Sequence, residues 1–214
     1  MLPDYSQALH FLQISALAVG AFYWRRTKPA AFRWLILLLF LTVLNESILT
    51  DHRIPSLRLN NNLLYNTYAI IDMLVLQWIF YQIEAFHKIR RFILFSIAIN
   101  LIANFLEAQL YAGWLQMHAQ SFRLYNISNM LICLYYFRKV ILEHKLSLRK
   151  DTIFIFCTGL FVYHALLFIN FTTVSIPGYW ELPSAMLIFQ LLQLSANLIY
   201  YAAIITVFLN SRKS

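Results

Sequence analysis

The residues in this chain best able to do chemistry are carboxylates, imidazoles and amides set inside long apolar runs. Asp72, Glu46, Glu107, His10 and His164 each interrupt a stretch rich in Leu, Ile, Phe and Ala. An ionisable group at the centre of a membrane helix costs about 2.5–3.5 kcal/mol on insertion scales, so such groups normally face a bundle interior and mark a functional path. Asp72 comes ten residues into its run, about 15 Å deep at about 1.5 Å per residue, which is near a bilayer midplane. Glu46 and Glu107 come late in their runs, which puts both in one outer third of the membrane.

The amides share this bias. Asn45, Asn66, Asn104, Asn126, Asn129, Asn170 and Gln190 all map between the midplane and the same outer surface. Gln190, Gln193, Asn197 and Tyr201 are spaced by three or four residues and share one helix face, as do Asn100, Asn104 and Glu107. Together these residues predict a polar cavity that takes a small polar or cationic solute. Asp72 and Glu46 supply negative potential, Asn66, Tyr68, His164, Gln190, Gln193 and Asn197 orient the ligand, and Tyr65, Tyr68 and Tyr201 are available for cation–π contact. Arg123 is the basic residue nearest the outer half and is expected to form a structural ion pair with Glu107 or Glu46.

Two other readings use the same residues. Amides and histidines hydrogen-bond across membrane helices for about 0.6–2 kcal/mol, so they also serve as glue in a structural subunit of a membrane complex. A membrane-embedded hydrolase or transferase using His10, His164, Asp72 and Glu46, with or without a metal, has suitable ligand types but no supporting spacing. Bis-histidine haem ligation would need His10 and His164 to face each other at one depth. The chain has no His-Glu-x-x-His, Gly-x-Ser-x-Gly or Cys-x-x-Cys motif, and its four glycines form no phosphate loop. No cofactor or resident metal is therefore expected. Enzyme activity ranks behind solute binding.

Composition explains what positions these groups. The chain has 214 residues, 61% hydrophobic and only 12% charged, against roughly 25% charged in soluble domains. Runs of about twenty apolar residues, the length needed to cross roughly 30 Å of hydrocarbon, recur at 5–24, 31–50, 62–83, 91–111, 121–140, 152–171 and 183–209. The fifth is the most polar of these, with Arg123 at its start. Cys133 and Cys157 fall within apolar runs and are expected to pack as small hydrophobes rather than to form a disulfide.

Basic residues orient the spans. Arg25, Arg26, Lys28, Arg33, Lys88, Arg90, Arg91, Arg138, Lys139, Lys145, Arg149, Lys150, Arg212 and Lys213 fall on one side, fourteen of the seventeen, with Arg53, Arg58 and Arg123 on the other. The positive-inside rule then puts the N-terminus outside and the C-terminus in the cytoplasm. The net charge of +8 is thereby assigned to a cytoplasmic face that meets anionic lipids, not to nucleic acid. Asp4 precedes the first run and Arg25 and Arg26 follow it, the reverse of a secretory signal, so that run is expected to remain as a helix. Tyr23, Trp24, Trp34, Trp78, Tyr81, Trp114, Tyr179 and Trp180 lie near run ends, as an aromatic belt does.

Seven spans with an outer N-terminus invite comparison with rhodopsins, but every lysine falls in an expected cytoplasmic segment, so no retinal Schiff base can form within the membrane. The stretches Leu64 to Asp72, Phe80 to Glu84, Tyr125-Asn126 and Tyr135 to Arg138 resemble those of a group of small seven-span bacterial membrane proteins without an assigned activity. That resemblance implies architecture and the bacterial inner membrane as location, and passes on no site residues. The expected protein is a single all-α bundle of seven spans. A second copy or a membrane partner protein is a further expected partner, since the short loops leave no room for an output domain.

The orientation has a direct test. Cysteine placed in the 172–182 loop is expected to react with an impermeant thiol reagent from outside, and cysteine in the 141–150 loop is not. Reversed labelling would overturn the orientation, and equal labelling would overturn the count of seven spans.

Overall fold

The computed structural model describes residues 5–50, 61–113, 118–143, 148–173, 175–176, 178 and 184–210. They form seven α-helices: α1 (Tyr5–Tyr23), α2 (Trp34–Thr50), α3 (Asn61–Gln82), α4 (Arg90–Glu107), α5 (Ala119–Leu142), α6 (Thr152–Thr173) and α7 (Ala185–Asn210). No strand occurs among the described residues. Each expected apolar run corresponds to one helix. The ends shift by a few residues where 3₁₀ turns flank α2 and α4 and where a π turn at Ala108–Ala112 follows α4. Gly113 closes that π turn at φ 63°, a left-handed conformation that favours glycine. Arg53, Arg58, Trp114, Lys145, Tyr179, Trp180, Arg212 and Lys213 lie outside the described residues.

Five helical segments are long and apolar enough to cross a membrane: Ala30–Ser47, Asn62–Gln82, Glu84–Leu110, Thr152–Thr173 and Ala185–Asn210. They support a membrane protein with transmembrane helices. α1 and α5 are not in this set. α5 nevertheless forms without a break for 24 residues. Its buried positions 121, 125, 126, 128, 129, 132, 133, 136 and 140 recur with the helical repeat, so packing of one mixed polar and apolar face holds the helix where hydropathy alone is weak.

The surface is inverted relative to a soluble protein. Phe11 is 73% exposed and Phe95 63%, whereas Asn100, Asn129 and His164 are 0% exposed. Water would not tolerate that arrangement, and hydrocarbon requires it, because lipid offers a buried amide no hydrogen bond.

The chain divides into two compact units, residues 28–121 and residues 1–27 with 122–214. The first, the three-helix unit, holds α2, α3 and α4. The second, the four-helix unit, holds α1, α5 from Phe122 onward, α6 and α7.

Side-chain contacts set the register within the four-helix unit. α5 and α6 run antiparallel, with Phe122 stacked on Phe171 at 5.0 Å, Tyr125 edge-on to His164 at 5.2 Å, and Phe137 against Phe161 and Phe154. The free, buried thiols of Cys133 and Cys157 meet across the same pair. α6 and α7 approach closely at Gly159, where an added Cβ would overlap Ala203 Cβ. Small residues at this crossing let the two backbones gain the dispersion contact that drives helix association in lipid.

Candidate functional site

In the four-helix unit, polar side chains from all four helices gather at one level. His164 of α6 is fully buried, and its Nδ1 lies 2.8 Å from Asn126 Oδ1 of α5. The amide oxygen only accepts, so Nδ1 carries the proton and donates, which leaves Nε2 as a bare acceptor. Tyr125 and Tyr163 present edges to the imidazole at 5.2 and 5.1 Å, and Tyr163 stacks on Tyr200 of α7 at 4.6 Å. Beside Tyr200, the Tyr201 hydroxyl accepts a hydrogen bond from Gln13 Nε2 of α1 at 3.3 Å. A continuous path thus runs from α5 through α6 and α7 to α1.

Several polar atoms in this unit lack partners. His164 Nε2, Asn126 Nδ2, both amide atoms of Asn129, Asn170 Oδ1, Gln13 Oε1 and His10 Nδ1 are buried without a hydrogen bond. A stranded buried polar group costs about 1–3 kcal/mol, so several in one unit is an unusual concentration. Asn129 follows Asn126 by three residues on the same face of α5, one turn further along.

The three-helix unit pairs more of its polar groups, although Arg33 Nε and Gln77 Oε1 there are also buried without a hydrogen bond. Gln77 of α3 donates to Ser96 Oγ of α4 at 2.9 Å, and Asn100 donates to the Ser96 carbonyl. Tyr68 shares a 2.6 Å hydrogen bond with Thr42 of α2. His118, fully buried ahead of α5, is held on three sides. Its backbone N–H donates to Asn66 Oδ1, Nδ1 faces Asn104 Oδ1 at 3.3 Å, and Nε2 faces the Gly113 carbonyl at 3.2 Å.

Glu107 is buried and accepts from the Gln120 N–H at 3.0 Å, the Ser121 N–H at 2.7 Å and the Ser121 hydroxyl at 2.6 Å. It therefore caps the first turn of α5, where unpaired N–H groups and the positive end of the helix dipole both favour a carboxylate. Asp151 does the same for α6. Its Oδ1 accepts from the N–H groups of Ile153 and Phe154, and Oδ2 accepts from Tyr136 of α5 at 2.7 Å.

The residues expected from sequence to form one cavity divide between the units. Asp72, Glu46, Asn66 and Tyr68 belong to the three-helix unit, where Asn66 is buried and the other three are half-buried. His164, Gln190, Gln193 and Asn197 belong to the four-helix unit, where the three α7 amides are half-buried and Asn197 bonds the Gln193 carbonyl. Arg123 donates to Ser175 Oγ at 3.3 Å, and it and Glu107 fall in different units. Among the described residues, no three His, Cys, Asp or Glu side chains gather as a metal site would need.

Sequence reasoning passed over His118, Gln13, Gln77 and Asp151. Asp151 immediately before an apolar run is an N-cap signal and was readable as such. His118 sits in an expected loop, where nothing in the sequence marks a buried imidazole. No family model, no curated protein and no solved structure matches the chain.

Glu107→Leu strips the acceptor from three donors and is expected to cost about 2–4 kcal/mol, read as a lower Tm in detergent, with Glu107→Gln intermediate. Wild-type melting of the leucine variant would contradict the cap. Combining Glu107→Gln with Arg123→Leu tests the expected ion pair: costs that add show no coupling, and a smaller combined loss shows pairing.

Proposed function

We propose that this chain is a seven-span bacterial inner-membrane protein, N-terminus outside, that binds a small polar solute in the four-helix unit for sensing or permeation. The observation that carries this reading is the set of buried, unpartnered polar atoms in the four-helix unit, drawn from α1, α5 and α6. Polar groups that only tie helices together should pair with one another, as Gln77 Nε2 and Ser96 do in the three-helix unit. Groups left unpaired in hydrocarbon persist when a bound molecule satisfies them, and ordered water does so in the resting state.

The sequence expectation of a cationic solute drawn by Asp72 and Glu46 places the ligand in the three-helix unit instead. Around His164 the described side chains are neutral amides, imidazole and phenols. That surrounding favours an uncharged solute, because a cation there would meet no compensating carboxylate. The metal-dependent enzyme reading has no gathered ligand set among the described residues, and the structural-subunit reading leaves the stranded atoms unexplained.

A solute that prefers the folded state raises Tm by mass action, so a thermal-shift screen of small polar solutes tests the proposal. A hit is expected to be lost in His164→Leu and kept in Asp72→Asn. The reverse pattern would return the site to the three-helix unit, and a hit unaffected by either variant would retire both locations.

A further inference from the structure

The four-helix unit also specifies which kind of solute fits, given the binding reading above. Its unpartnered atoms have a definite donor and acceptor character. His164 Nε2 is an acceptor, because Nδ1 donates to Asn126 Oδ1. Asn126 Nδ2 is a donor. Asn129 is 0% exposed and presents both a free donor and a free acceptor on one rigid plane. The depth relation is fixed by α5: Asn129 lies one turn from Asn126, and Asn126 is joined to His164.

We infer that Asn129 reads the solute through paired hydrogen bonds, and that the solute class is a neutral carboxamide or an equivalent donor–acceptor edge such as a lactam or urea. A carboxamide offers an N–H to Asn129 Oδ1 and a carbonyl to Asn129 Nδ2 at once. A carboxylate can satisfy only the donors. An ammonium can satisfy only the acceptors. Each would leave buried atoms stranded, which is how a polar site rejects the wrong partner. The tyrosine rings around His164 favour an aromatic or apolar body behind the amide edge.

Benzamide, N,N-dimethylbenzamide, benzoate and benzylammonium share one ring and differ only in this edge, so they make a matched series. Thermal shifts of the purified protein are measured in one detergent for wild type, Asn129→Leu and Asn129→Ser. Benzamide is expected to raise Tm in a concentration-dependent way, and the dimethyl amide, which has no N–H, is expected to have at least tenfold weaker effect. Asn129→Leu replaces two stranded polar atoms with methyl groups on the same branched outline, so the empty variant is expected to melt at or above wild type while losing the benzamide response. A structural amide would instead lower Tm on that change. Asn129→Ser carries the same test of response if the leucine variant does not fold.

Three results overturn the inference. Equal stabilisation by benzamide and its dimethyl analogue would show that only the ring is read. Stabilisation by benzoate or benzylammonium alone, lost in Asn129→Leu, would assign a charged solute and leave the binding proposal standing. Silence across the whole series refutes the amide class; if the wider solute screen is silent as well, the binding reading fails with it.

Discussion

A polar group in hydrocarbon has no water to turn to, and most of this structure follows from how each one is answered. Backbone groups are answered by helices, which is why the described chain is all helix and why even the polar α5 holds its form. The ends of helices are the exposed points in that scheme. Glu107 and Asp151 meet it by delivering carboxylate oxygens to the first turns of α5 and α6. Two of the nine acidic residues are thereby committed to holding helices in place. Asp151 also receives the Tyr136 hydroxyl, so the same carboxylate that starts α6 fixes its register against α5.

Once α5 and α6 are registered, the level of each polar side chain is set. Stacked aromatics at Phe122–Phe171 and the paired thiols of Cys133 and Cys157 mark the same antiparallel alignment on either side of Asn126 and His164. Close approach at Gly159 and Ala203 brings α7 in, and Tyr200 and Tyr201 carry the polar path on to Gln13 of α1. Packing of small and aromatic residues thus does the positioning, and the amides and imidazole are delivered to one level. The three-helix unit uses its amides the other way, closing Gln77, Ser96 and Asn100 on one another.

The helices were readable in the sequence because each has a run of apolar residues of membrane length bounded by basic residues. α5 has the weakest apolar signal, and its run was read despite Arg123 at its start. Counting residues puts His164 near the middle of its run and Asn126 between the midplane and the outer surface, and in the structure the two bond directly. What counting does not give is which helices are neighbours. Asp72 and Gln190 share an expected half of the membrane and yet belong to different units. His118 was invisible for the opposite reason, since a histidine in a short connection gives no periodic signal and its burial comes entirely from Asn66, Asn104 and the turn at Gly113.

Everything said of function rests on the unpartnered atoms of the four-helix unit being answered by something other than protein. The most direct measurement is an experimental structure in lipid, at a resolution that shows ordered water. Density within hydrogen-bonding distance of His164 Nε2 and of both Asn129 amide atoms, from water or from a retained solute, is the expected result. The same atoms packed against apolar side chains with no density between them would contradict it.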